Sequence, residues 1–482
     1  MATSAELLAS LSDIVGPGHV LTCNEAMAPY RSERRGLFTS EPQAVVRPGD
    51  TQAVAATVAA CASHGAAVIP QGGNTGLVGG SVAHQRHAIV LSLERLSRIR
   101  TVDAMNRTLT AEAGCPLAAV QSAAAEVDRL FPLSYAAESA CQLGGNLATN
   151  AGGMNVLRYG NARELTLGLE VVLADGRIWD GLTGLRKDNA GYDLRNLFIG
   201  SEGTLGIITA AVMRLFPRPR QTVTAVVALD EPDHAVALLH GLQAATGEAI
   251  SAFELMSRFS ITMAWRHGEG CDEPFTQSAP WYVVLDAATT QASDDLADRL
   301  GSTLDQHRRD GQVREWHLGS TPDERAALWR PRNQIPAAQR HEGASIKHDI
   351  AVPVSRVPEF LRRADQLAVD YMTGIRPCAF GHVGDGNIHY NLSQPEGMTA
   401  EAFLAHWQPL TERIHDLVVA MGGSFAAEHG IGRLKSGEVQ RLKTPVETDM
   451  MGAIKGVLDP DNVLNPGAMT APRGGYEALG SR

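Results

Sequence analysis

PQGGNTGLVGGS, Pro70 to Ser81, packs five glycines into twelve residues and runs on into the apolar stretch HAIVLSL, His87 to Leu93. Glycine lets the backbone adopt positive φ and approach a ligand closely. Successive N–H groups then form a concavity that binds anions. The stretch therefore suits a phosphate-bearing ligand, and its context excludes two common arrangements. A Walker loop needs a lysine before its Ser/Thr, and none stands near Ser81. A dinucleotide fingerprint opens a helix straight after its glycines, whereas HAIVLSL reads as a strand. One such loop is about as readily a flexible connection. Two further clusters, LGGNLATNAGG (143–153) and GSEGTLGIIT (200–209), shift the balance toward a cradle.

Around these loops the chain alternates helix, strand and glycine-rich turn up to about Phe216. In the segment before the first cluster, Asp50 or Thr51 caps a helix with Val54, Val58 and Cys61 on one face. Gly65 stops it, and AAVIP follows as a buried strand. FPRPRQ, Phe216 to Gln221, marks a boundary. Beyond it TVTAVVAL, DEPDHAVALLHGLQAATG, PWYVVLDA and SDDLADRLGSTLDQHRRD give a strand–helix rhythm. That predicts an α+β layer with helices on one side of a sheet. EAFLAHWQPLTERIHDLVVAMGG reads as one long amphipathic helix, and LDPDNVLNPGAM closes the ordered chain.

The 482 residues exceed one hydrophobic core. A net charge of −11 argues against a nucleic-acid surface or a polybasic membrane patch. No apolar run reaches the ~20 residues of a membrane helix, and the N-terminus lacks the pattern of a secretory signal. Six cysteines without a CxxC read as reduced thiols. The expectation is a cytoplasmic protein.

FGHVGDGNIHYN, Phe380 to Asn391, carries a second chemistry. If Gly384-Asp385-Gly386-Asn387 is a hairpin tip, His382 faces His389, and Asn391 shares their face. Two imidazoles and an amide suit a metal or an anionic substrate. FAAEHGIG, Phe425 to Gly432, offers Glu428 and His429. Two His and one Glu with an open position make a catalytic zinc set. Asp385 is the alternative ligand, although its place in GDGN fits an Asx turn better.

The three glycine clusters, together with ATNAGGMNVLRYGNARELTLGLEVVLADG (148–176) and the histidine segment, resemble the vanillyl-alcohol oxidase/p-cresol methylhydroxylase flavoprotein superfamily. Over roughly residues 40–470 the chain is similar to its D-2-hydroxyacid dehydrogenase branch. The resemblance implies an α+β architecture. A two-lobed p-cresol methylhydroxylase-type FAD-binding domain would span 1–218 and an α+β substrate-binding cap with the metal hairpin 219–410. A C-terminal helical segment, 411–472, would pack back on the FAD domain, ahead of a tail at 473–482.

It also implies roles. Pro70, Gly72, Gly73, Asn74, Thr75, Gly76, Gly79, Gly80 and Ser81 would cradle the FAD pyrophosphate. Gly144, Gly145, Asn146, Thr149, Asn150 and Gly153 would line a second row of contacts. Glu202, Gly203 and Ile207 would lie near the pyrophosphate and adenine, and Asn465 at the isoalloxazine edge. Some relatives tether FAD through a histidine where this chain has Asn74, so FAD is expected to be non-covalent. Cys141, near a second tether of a few relatives, reads as a packed thiol.

His382, His389 and Glu428 match metal ligands, Asn391 a substrate contact, and His429 the base, itself at the substrate. Zinc is the expected ion, with manganese or Fe(II) as alternatives. Arg332 and Lys347 match positions that hold a distal carboxylate in D-2-hydroxyglutarate dehydrogenases. Pro336 departs from the pattern, standing where those relatives offer a hydroxyl. The implied reaction is oxidation of D-2-hydroxyglutarate to 2-oxoglutarate by hydride transfer to flavin N5. D-lactate, D-malate or glycolate are alternative substrates.

Two other classes compete: a metal-free FAD alcohol oxidase using O₂, and a non-catalytic flavin-binding subunit. No haem or iron–sulfur signature supplies an internal electron path. Electrons are expected to leave to an electron-transfer flavoprotein, a quinone or a cytochrome. A homodimer is the expectation for assembly.

Overall fold

The computed structural model describes residues 4–85, 87–135, 137–293 and 295–470. The expected tail, 473–482, lies outside them. The chain divides into two compact units. One comprises Met1–Ala151, Asn161–Pro217 and Glu428–Arg482; the other comprises Gly152–Gly160 and Arg218–Ala427.

The first unit contains two main sheets. A four-stranded sheet runs Val20–Leu21, Ala44–Val46, Ile89–Ser92, Val68–Gln71, and its last three strands are parallel. Helix Thr51–Ser63 connects two of them. The Asp50 carboxylate accepts from the Ala53 N–H, capping the helix, and Val54, Val58 and Cys61 are buried on its inner face. A five-stranded antiparallel sheet runs Ile99–Asp103, Thr108–Glu112, Ile207–Arg214, Thr166–Val172, Ile178–Gly181. Glu170, on its fourth strand, accepts from Arg100, Thr51 and Thr209 at 3.0, 2.6 and 2.8 Å. The C-terminal segment joins the first sheet, with Val68 N–H donating to the Val463 carbonyl and Asn465 N–H to that of Val68.

The second unit is built on one antiparallel sheet of eight strands. Its order is Glu315–Gly319, Gln221–Leu229, Trp281–Thr289, Ile250–Ser257, Arg376–Gly381, Asn387–Ser393, Ser345–Ile346, and Asp349–Ala351 also pairs with Asn387–Ser393. Helices cover both faces rather than the expected one. Along Gln221–Leu229, Val223, Ala225, Val227 and Leu229 pack toward helices Pro232–Thr246, Leu296–Arg309, Val357–Tyr371 and Trp407–Ala420. Val226 and Ala228 pack on the opposite face with helices Arg258–His267 and Pro322–Ala338. Thr224 apart, the strand is apolar from Val223 to Leu229 because both sides are covered.

The segment read as one long helix is two, Ala400–Leu404 and Trp407–Ala420. Leu410, Ile414 and Val418 are buried in the second unit's core, so this unit extends to Ala427 rather than ending at 410. No helix among the described residues is long and apolar enough to cross a membrane.

Candidate active site

In the first unit the loop that follows strand Val68–Gln71 is stitched closed. Gln71 Nε2 donates to the carbonyls of Tyr30 and Ser81 at 3.1 and 2.9 Å. Asn74, at φ 51°, donates to the Ser32 carbonyl and accepts from Ser81 Oγ at 2.9 Å. Thr75, Gly76, Gly79 and Gly80 complete this loop. At Gly73 a Cβ would come 2.0 Å from the Ala140 carbonyl oxygen, so only glycine lets the first cluster come this close to the segment leading into the second. The second cluster is not wholly loop: Gly144, Gly145 and Asn146 lie in helix Leu143–Ala148, which Thr149 and Asn150 close. Gly153 falls in the segment that groups with the second unit.

Asn465 ties the first cluster to the third, its Nδ2 donating to the carbonyls of Gly80 and Glu202 at 2.8 Å each. Three buried polar atoms around these clusters lack a protein partner: Gln142 Oε1, Asn146 Nδ2 and Asn465 Oδ1. Such atoms call for a ligand or water, and a polar cofactor such as FAD fits them.

Two expected contacts have other work. Ile207 is buried in the core beside Val68 and Ile89. Glu202 Oε1 and Oε2 accept from the N–H groups of Ile431 and Gly432, each at 2.7 Å. Burial raises this carboxyl, against the pull of those two donors and Lys435. Glu202 therefore anchors the Glu428–His429 turn. Gly430 and Gly432 take φ of 83° and 51° there, and the bend brings Glu428 Oε1 within 3.7 Å of His429 Nε2. Residues the sequence reading passed over also take part. Tyr135 hydrogen-bonds Asn146 Oδ1. Its phenol is pushed well above the usual range by burial, then by Cys141 and Glu428. Cys141 is buried, as expected.

In the second unit the histidine hairpin forms with a different register. His389 pairs with Phe380, and Asn391 with Cys378. The strand ends at Gly381, so residues 382–386 make the turn and His382 does not face His389 directly across the ladder. Gly386, at φ 86°, lies so close to Val352 that a Cβ would meet its carbonyl at 2.0 Å. Asp385 Oδ1 accepts from the Asn387 N–H at 3.1 Å, the Asx role expected of it. The slip is two residues and keeps the face, since side chains alternate with period 2. The His382 and His389 rings still meet, with centroids 5.4 Å apart.

Each imidazole turns Nδ1 to a carboxylate. His382 Nδ1 bonds Glu254, and His389 Nδ1 lies 3.6 Å from Asp349 Oδ1. Glu254 also accepts from Arg332 Nε at 2.7 Å, and the Arg332 guanidinium lies 5.2 Å from the Phe380 ring centroid. Burial would raise the Glu254 carboxyl, but His382 and Arg332 outweigh it and hold it down at about 2. Asn391 is buried and donates to Gln339 at 2.9 Å. Arg332 is buried and Lys347 exposed. Pro336 sits inside the helix of Arg332 and has no N–H to offer the Arg332 carbonyl four residues back. Glu428 follows Ala427, whose N–H donates to the Asp349 carbonyl at 3.3 Å.

Glu254, Asp349 and Gln339 were not singled out from sequence. For Glu254 the available signal was a carboxylate inside the apolar run ISAFELMS, where a buried charge demands partners.

The glycine cradle and its orphaned polar atoms suit FAD in the first unit, and the second unit carries a carboxylate-backed histidine pair. The fold agrees. p-Cresol methylhydroxylase with substrate bound superposes with a TM-score of 0.77 at 18% identity, covering 98% of each chain. Alkyldihydroxyacetonephosphate synthase gives 0.73 at 16% identity, covering 96% of this chain and 85% of the other. The family "FAD binding domain" matches residues 42–181, and "FAD linked oxidases, C-terminal domain" matches 218–469.

The chain belongs to the FAD-dependent D-2-hydroxyacid dehydrogenases. It is 36% identical to D-2-hydroxyglutarate dehydrogenase of Xanthomonas citri pv. viticola over 432 residues, 90% of each chain. It is 36% identical to the mitochondrial enzyme of Bos taurus, over 96% of this chain and 83% of that one. To the enzyme of Stutzerimonas stutzeri it is 31% identical, over 97% and 100%.

Proposed function

We propose that the substrate is D-2-hydroxyglutarate, oxidised to 2-oxoglutarate at a site where His382, His389 and Glu428 hold a divalent cation. The observation that carries this is the histidine pair. An imidazole whose Nδ1 faces a carboxylate presents Nε2 to a metal, the usual arrangement around metal-bound histidines. Glu428, next in chain to Ala427, supplies the third ligand. Zinc suits a His₂Glu set, and manganese or Fe(II) accept the same donors. When bound, the ion supplies Lewis acidity at the α-hydroxyl, and FAD accepts the hydride.

His429 takes the hydroxyl proton, Asn391 orients the substrate, and Arg332 and Lys347 receive the distal carboxylate. FAD is held non-covalently, because Asn74 is spent on its own loop. Acid precipitation should leave all flavin in the supernatant; flavin in the pellet contradicts this. Electrons leave to an electron-transfer flavoprotein, a quinone or a cytochrome in the cytoplasm.

Two observations favour an acid without a distal carboxylate, such as D-lactate: Arg332 shares its charge with Glu254, and Pro336 offers no hydroxyl. Comparing kcat/KM for Arg332→Ala on both substrates decides. The expected loss is about tenfold or more with D-2-hydroxyglutarate and much smaller with D-lactate. Equal losses rule out the distal-carboxylate role.

A further inference from the structure

We infer that Glu254 is a positioning residue that couples metal binding to recognition of the distal carboxylate. The inference rests on the reading of His382 as a metal ligand and Arg332 as a substrate contact.

Glu254 lies in the middle of the apolar strand Ile250–Ser257 and is completely buried. Its two oxygens are divided. Oε1 bonds His382 Nδ1, and Oε2 accepts from Arg332 Nε at 2.7 Å and forms an ion pair with Nη2 at the same distance. The bond to Oε1 fixes the His382 ring and its tautomer, placing the proton on Nδ1 and leaving Nε2 as the coordinating nitrogen. The hydrogen bond and ion pair to Oε2 hold one edge of the guanidinium, while the Phe380 ring 5.2 Å away restricts its plane. The Nη1 end is thereby aimed in a single direction, the geometry that bidentate recognition of a carboxylate needs. One carboxylate thus sets the orientation of a ligand to the ion and of a clamp on the substrate's far end. Glutamine cannot replace it. An amide offers one oxygen, so its NH₂ confronts a donor on the other side.

The test uses the full-length, FAD-loaded enzyme. Glu254→Gln should retain its flavin and bind zinc about 10–100-fold more weakly in a chelator competition. Saturating zinc should then restore flavin reduction by D-lactate. KM for D-2-hydroxyglutarate should stay raised by about tenfold or more, because the clamp remains misaligned.

If Glu254→Gln does not fold, the charge-neutral double variant Glu254→Leu/Arg332→Met decides. Replacing a buried ion pair by apolar side chains of similar volume is often tolerated, and its zinc affinity should fall by a similar factor. Zinc affinity within about threefold of the parent in the variant that folds overturns the inference. So does recovery of both substrates together on adding zinc to Glu254→Gln. A parent enzyme that holds no metal contradicts the metal reading and this inference with it. A parent that holds zinc beside a variant that holds it equally contradicts this inference alone.

Discussion

Oxidising an alcohol removes a hydride from carbon and a proton from oxygen, and the proton needs a base. His429 is the candidate, since imidazole titrates nearest neutrality. The bend at Gly430 and Gly432 sets it beside Glu428 rather than on the opposite side, and Glu202 holds that bend through two backbone N–H groups. His429→Ala should therefore keep FAD and metal, while substrate reduces the flavin at least ~10²-fold more slowly. Rescue by excess zinc, or a loss below about tenfold, would show His429 to orient Glu428 instead. His382, His389, Glu428 and His429 were singled out from sequence because two short segments carry them. Glu254 was not, because it lies 128 residues from His382 and meets it only through strand pairing.

Single elements show where local reading stops. The tip residues of the histidine hairpin were identifiable as turn formers, but the register depends on where the ladder stops at Gly381, which tertiary packing decides. Because the slip is even, the face of His389 and Asn391 survived the error. The five-stranded sheet offers a test through pH. Glu170 is partly desolvated, which raises its pKa. Hydrogen bonds from Arg100, Thr51 and Thr209 outweigh this and lower it overall. A depressed folded pKa stabilises above the ordinary carboxylate range, and the contribution is lost as pH falls through the folded value. Glu170→Gln should thus lower the flavin-release temperature at pH 7 by several degrees. The gap to the parent should narrow below about pH 4.5. A gap that stays constant or widens on acidification contradicts the network's assigned sign.

At the scale of the whole molecule, the strand–helix alternation and the boundary near Phe216 were readable. The nine residues 152–160 that group with the second unit were not, because no composition change marks them. The two-sided helical cover was missed because largely apolar strands such as Gln221–Leu229 look alike whether one face or both are buried. The central claim is that this FAD-dependent D-2-hydroxyacid dehydrogenase works with a divalent ion on His382, His389 and Glu428. Anaerobic rapid mixing with D-2-hydroxyglutarate, before and after chelator treatment, tests it most directly. Rapid flavin bleaching is predicted in the untreated enzyme. After metal removal the flavin should stay bound, its reduction should slow by about 10²-fold or more, and zinc should restore the rate. Undiminished bleaching in metal-free enzyme would contradict the account.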